Sequence, residues 1–179
     1  MHRALISGLR PANQRSRRPA LRAGAAGRGG GQREPVITID GPAGAGKSSA
    51  AREIARRLGF RLVDTSAMYR ALAWAVRRAE LEPVDSPALR ELLARVRIDV
   101  GDGQVRVDGE DVTAAIHAPD IGPLTSRLSE LAVVRAALTP LQRSLAAGGG
   151  AVLEGRDTGS VVWPEAEVRV YLDASLETR

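Results

Sequence analysis

Residues 41–48 read Gly-Pro-Ala-Gly-Ala-Gly-Lys-Ser, directly after the apolar run Val36-Ile37-Thr38-Ile39. A G-x-x-x-x-G-K-[ST] pattern between a strand and a helix is a phosphate loop, and nothing else in the chain limits its fold as tightly. The glycines let backbone N–H groups converge on phosphate oxygens with no Cβ in the way. The helix that follows adds unpaired N–H groups and the positive end of its dipole. Gly41, Pro42, Ala43, Gly44, Ala45, Gly46, Lys47, Ser48 and Ser49 are therefore expected to wrap the phosphates of a nucleoside triphosphate. Lys47 reaches the β- and γ-phosphates, and the Ser48 hydroxyl is the expected Mg²⁺ ligand. Lys47 is the only lysine among 26 basic residues; the rest are arginine.

A chain of 179 residues with 44% hydrophobic content suits one globular domain with room for a small insertion. Phe, Trp and Tyr together make up 3%, so the core must come from Leu, Val, Ile and Ala. The absence of cysteine excludes disulfides and thiolate metal sites and suits a reducing compartment. No apolar run is long enough to span a bilayer. A cytoplasmic location and no membrane partner are expected.

The net charge of +5 is misleading. Residues 1–34 hold eight arginines against one acid, Glu34, and residues 35–179 hold 18 basic against 20 acidic side chains. The basicity belongs to an Arg/Gly-rich tail with too few apolar residues to bury a core. That tail reads as a nucleic-acid or targeting segment, or more plainly as a disordered extension or a start placed too far upstream. Its lack of aromatic residues and of amphipathic period favours the extension, so no nucleic-acid partner is expected. Removal through Arg33 is expected to leave the fold intact.

Along residues 35–179, Val36–Asp40 reads as a buried strand and Lys47–Leu58 as a helix stopped by Gly59. Arg61–Asp64 is a second strand. Thr65 caps a helix to about Glu80, with Met68, Leu72 and Val76 on one face. Ser86 and Pro87 start another helix that runs through Val96. The period then changes to two: residues 97–100, 104–107 and 110–112 form three short strands joined by Gly-Asp-Gly and Asp-Gly turns. Residues 120–147 are helical with a break near Ala132 and Val133, and 151–154 and 168–172 are further strands. The expected fold is α/β: an open parallel sheet with helices on both faces and a small antiparallel sheet inserted in it.

Two stretches leave strands at their carboxyl ends, where open α/β sheets bind ligands. They are Asp64-Thr65-Ser66-Ala67-Met68-Tyr69-Arg70 and Glu154-Gly155-Arg156-Asp157 through Pro164. Arg70 and Arg156 facing one ligand would clamp a monophosphate with two guanidinium forks. Each arginine could equally pair with a surface acid, and Met68 and Tyr69 read as packing residues.

From Val36 to Leu172 the chain resembles the bacterial cytidylate kinases. The resemblance rests on Ile37-Thr38-Ile39-Asp40-Gly41-Pro42, residues 64–70, Val107-Asp108-Gly109-Glu110-Asp111-Val112-Thr113, and residues 154–164. It implies a P-loop nucleoside monophosphate kinase-like fold with an inserted acceptor-binding subdomain at about 65–130, and transfer of the ATP γ-phosphoryl group to CMP or dCMP by a monomer, with Lys47, Arg70 and Arg156 as catalytic groups. It further implies that Arg70 and Arg156 hold the acceptor phosphate and that Thr65 contacts the acceptor nucleotide. Ser126, Arg135 and Asp157 would read the cytosine edge. Asp40 or Asp157 would order waters around the metal, a choice the sequence leaves open. His117 departs from the arginine common in the family. The family also continues past Arg179 with an arginine-rich lid, a further strand and a last helix, so the chain as written is expected to be a weak kinase.

A regulatory GTPase would need an Asn-Lys-x-Asp motif, and the only asparagine is Asn13. The rivals are another small-molecule P-loop kinase and a catalytically impaired nucleotide-binding fragment. On any of these readings Lys47→Ala is expected to weaken ATP binding sharply and to remove phosphoryl transfer. Titration of ATP into the variant, followed by an ADP-release assay, checks this; normal turnover would sink the phosphate-loop assignment.

Overall fold

A computed structural model describes residues 33–101, 103–175 and 177. Four parallel strands make the main sheet: β1 (Val36–Asp40), β2 (Arg61–Asp64), β6 (Ala151–Gly155) and β7 (Val168–Tyr171), in the order β2-β6-β1-β7. The helices are α1 (Lys47–Leu58), α2 (Thr65–Arg78), α3 (Pro87–Arg95), α4 (Ile121–Glu130) and α5 (Ala132–Ala146). Between α3 and α4 the antiparallel sheet β3-β4-β5 forms from Ile98–Gly101, Gln104–Val107 and Glu110–Asp111. A 3₁₀ turn at Ala115–His117 follows it, and a π-helical turn at Thr158–Val162 follows β6.

The strand register lines up the carboxyl ends. In β1, Val36 pairs with Ala151 of β6 and Asp40 with Gly155; in β2, Asp64 pairs with Glu154. β1 and β6 are buried along nearly their whole length, as strands covered on both faces must be. One face carries α1: Ile37, Ile39 and Val152 pack on Ala51 and Ala55. Across the other face Val36, Val63, Ala151 and Leu153 pack with Ala146 of α5 and Val162.

The expected elements form with small shifts, and each shift has a local cause. Asp64, not Thr65, caps α2: its carboxylate accepts from the Ala67 N–H at 2.9 Å, and Thr65 is the first helical residue. The helical run 120–147 breaks one residue earlier than expected, at Leu131, whose extended ψ of 121° ends α4 and opens α5. Nor is α2 one-sided. Ala71, Ala73, Trp74 and Ala75 are buried along with Met68, Leu72 and Val76, because α4, α5 and the inserted sheet enclose the helix.

Of the predicted tail, residues 1–32 lie outside the described residues, while Arg33 and Glu34 both touch the domain. The Glu34 carbonyl accepts from the Gly150 N–H at 3.2 Å, and the Arg33 guanidinium lies 5.0 Å from the centre of the Trp163 ring. Val36 N–H donates to Glu167 Oε2 at 2.7 Å, which anchors the first residue of β1. Truncation before Arg33 is therefore expected to leave the melting temperature unchanged. Truncation through Glu34 removes one hydrogen bond and one cation–π contact, together about 1–2 kcal/mol. It is expected to lower the melting temperature by a few degrees in a calorimetric scan.

Candidate active site

The phosphate loop leaves β1 at Gly41. Its φ is 147°, and a Cβ there would stand 2.0 Å from the Leu172 carbonyl oxygen, so only glycine fits between β1 and the segment after β7. At the loop's other end Gly46, with φ 85°, turns the chain into α1. No side chain caps that helix and no acid stands in its first turn, which leaves its N–H groups for an anion. The Lys47 ammonium is half-buried and donates to the Pro42 carbonyl at 2.7 Å, folded back over the loop it is expected to serve.

Glu154 is the site residue that the sequence reading missed. It sits at the carboxyl end of β6, 3% exposed, and its Oε1 accepts from the Ser48 hydroxyl at 2.9 Å. Its Oε2 is buried with no hydrogen-bond partner. Burial above all, then the charge of Asp64 on the adjoining strand, pushes its carboxyl above the usual glutamate range; the Ser48 bond, Lys47 and Arg52 oppose this. The one signal in the sequence was an acid closing the apolar run Ala151-Val152-Leu153.

The two acids expected near a metal are committed elsewhere. Asp40 accepts from the Thr158 N–H at 2.7 Å, the Thr158 hydroxyl at 2.6 Å and the Gly159 N–H at 2.8 Å. Asp157 is ion-paired with Arg135. The carboxylate in contact with Ser48 is Glu154, because the β6 register carries it to the start of α1. Among the described residues no group of three His, Asp or Glu side chains converges as a metal cluster.

The residues expected to hold an acceptor are only partly gathered. Arg135 of α5 meets Asp157 directly, and Tyr69 of α2 stands near both. Burial, then the Asp157 charge, raises the Tyr69 phenol, with Arg135 working against the shift. Tyr69, read from sequence as packing alone, is thus electrostatically part of this corner. Arg70 is half-buried and donates to the Ile116 carbonyl at 3.3 Å, while Arg156 is exposed. The Thr65 hydroxyl is buried and donates to the Glu154 carbonyl at 2.7 Å. Ser126 is exposed, and its hydroxyl turns back to the Gly122 carbonyl of its own helix at 3.3 Å.

The π-helical turn after Asp157 supports this corner. The Asp157 carbonyl accepts from the Val161 N–H at 2.9 Å. Arg143 of α5 closes the far end, donating to the Val162 and Val161 carbonyls at 2.8 and 2.9 Å.

A glycine-rich loop between a central parallel strand and an uncapped helix, with a buried acid from the next strand at its serine, defines a phosphate-loop α/β protein of the nucleotide-kinase type. The family model for cytidylate kinase matches residues 37–179, and the chain belongs to that family. It is 46% identical over 150 residues to a cytidylate kinase of Pelotomaculum thermopropionicum, covering 81% of this chain and 66% of that protein. It is 45% identical over 154 residues to one of Symbiobacterium thermophilum, covering 83% and 68%. A bifunctional pantoate ligase/cytidylate kinase of Parasynechococcus marenigrum is 44% identical over 152 residues, which are 82% of this chain and 30% of that protein. The chain thus spans about two thirds of the length of the single-function relatives. No helix among the described residues is long and apolar enough to cross a membrane.

The raised Glu154 carboxyl gives a test with a definite sign. A carboxyl raised by the fold contributes stability below its ordinary range, and that contribution is lost as pH rises through its raised value. Glu154→Gln is uncharged at every pH. It is expected to melt a few degrees above wild type near about pH 8, with the gap closing toward about pH 4. Thermal melts across that range check it; a constant gap would mean that the fold does not raise the Glu154 carboxyl.

Proposed function

We propose that the chain binds ATP with Mg²⁺ on the phosphate loop and CMP or dCMP at the corner after β6. The two sites serve transfer of the γ-phosphoryl group, giving CDP or dCDP. The observation that supports this most is the Arg135–Asp157 pair beside Tyr69, on the same sheet edge as the phosphate loop. A paired acid and guanidinium suit the cytosine edge. The carboxylate accepts from the exocyclic amine, and the guanidinium donates to O2 or N3. Uracil reverses the polarity at two of those atoms, which would leave buried groups unpaired.

The acceptor phosphate oxygen attacks the γ-phosphorus in line, so positioning and charge neutralisation dominate. Lys47 balances charge on the donor; Arg70 and Arg156 do so on the acceptor and fix its orientation. Thr65 and Ser126 complete the acceptor contacts. The Ser48 hydroxyl and the Glu154 carboxylate, one of whose oxygens has no partner, suit a hard cation that takes oxygen ligands and would hold Mg²⁺. When bound, the ion supplies charge neutralisation at the β- and γ-phosphates. A cytoplasmic monomer without nucleic-acid or membrane partners goes with this reading.

Asp157→Asn keeps the shape of the side chain and turns one acceptor oxygen into a donor. It is expected to disfavour CMP over UMP by about 1–3 kcal/mol, the penalty of an unpaired buried polar group. Turnover or binding measured with CMP, dCMP and UMP on wild type and variant checks it. Equal loss for both bases would assign Asp157 to the phosphate or metal. ATP binding without transfer to any monophosphate would favour an impaired nucleotide-binding role, and transfer to a different acceptor another small-molecule kinase.

A further inference from the structure

Asp40 is the last residue of β1 and the neighbour of Gly41, where the phosphate loop begins. Its carboxylate is bonded to the turn after β6. Oδ1 accepts from the N–H and the hydroxyl of Thr158, and Oδ2 from the N–H of Gly159. Those two N–H groups open the π-helical turn and have no carbonyl before them to bond, so Asp40 caps the turn from another strand. The close fit supports the contact: a Cβ on Gly159 would stand 2.7 Å from Thr38 Oγ1 and 3.3 Å from Asp40 Oδ2.

The position of the clasp matters because of what it brackets. The β1–β6 ladder ends where Asp40 pairs with Gly155. Arg156 and Asp157 follow, and the Asp40 carboxylate then grips residues 158 and 159. The two residues assigned to the acceptor are therefore a short span tied at both ends to one residue, the residue that also launches the phosphate loop. Charge-assisted hydrogen bonds are the strong kind, and here two backbone N–H groups and one hydroxyl converge on one carboxylate.

We propose that Asp40, with Thr158, is a positioning residue that sets the acceptor turn against the phosphate loop. This rests on the acceptor reading given above. Asp40 touches neither nucleotide; it acts through Arg156 and Asp157. Misplacement by about 1 Å at such a site costs on the order of 100-fold.

The test uses the full chain and titrates CMP and ATP separately into wild type, Asp40→Asn, Thr158→Val and Thr158→Ser. Thr158→Val removes only the hydroxyl bond, and Thr158→Ser keeps it. Asp40→Asn puts an amide against the Gly159 or Thr158 N–H. We expect CMP to bind about 10- to 100-fold more weakly to Asp40→Asn. Thr158→Val should show a smaller loss, recovered in Thr158→Ser, with ATP affinity little changed in both Thr158 variants. A merely structural tie would lower both affinities in parallel with melting temperature. That result, or unchanged CMP binding in both Asp40→Asn and Thr158→Val, overturns the proposal. Wild type that binds ATP but no CMP overturns the acceptor reading itself, and the positioning role falls with it. Should the variants not fold, amide exchange on wild type decides: the clasp requires protected Thr158 and Gly159 N–H groups, and rapid exchange at both overturns it.

Discussion

The register of β1, β2 and β6 is the constraint on which the site depends. Parallel strands stagger their carboxyl ends freely unless side-chain packing pins them, and here apolar residues on both faces of β1 and β6 do so. With Asp40 opposite Gly155 and Asp64 opposite Glu154, three segments leave the sheet at one level. They are the phosphate loop, the start of α2 and the turn carrying Arg156 and Asp157. A slip of one residue would point Glu154 away from Ser48 and would put its charge into the apolar layer.

That register also explains which acids do what. Asp64, Glu154 and Asp40 all stand at strand ends, yet their surroundings divide them. Asp64 is spent on the first turn of α2 and Asp40 on the turn after β6. Glu154 alone keeps a buried oxygen without a partner, in the most buried position of the three. Burial and a like charge from Asp64 make its ionised form costly, and a cation near Ser48 would relieve both penalties.

Much of this was legible in the sequence. The phosphate loop, the helix stopped at Gly59, the period-two insertion and the parallel strands each carry a local signature, because glycine placement and hydrophobic period act within a few residues. What was not legible depends on neighbours distant in the chain. Nothing near Asp40 announces that residues 118 positions away will fill its carboxylate. Nothing near Glu154 shows that Ser48, 106 positions earlier, will meet it. Thr65 has the composition of a cap and was read as one; the cap went to Asp64, and the Thr65 hydroxyl found the Glu154 carbonyl instead. For Arg33 and Glu34, composition pointed to a tail, while the backbone of Gly150 and the ring of Trp163 hold them to the domain.

The two tryptophans divide the molecule in a way that has a practical consequence. Trp74 lies in the helical cluster around α2, with the Arg78 guanidinium 5.0 Å from its ring centre. Trp163 packs against the cluster on the main sheet, just past the acceptor turn, beneath Arg33. The chain therefore carries one tryptophan in the cluster around α2, one beside the main sheet and none elsewhere. Light emitted from the sheet side and from the insertion side can be separated by replacing one indole at a time. Loosening of the inserted subdomain and loosening of the sheet would then be seen as distinct optical events, with no label attached.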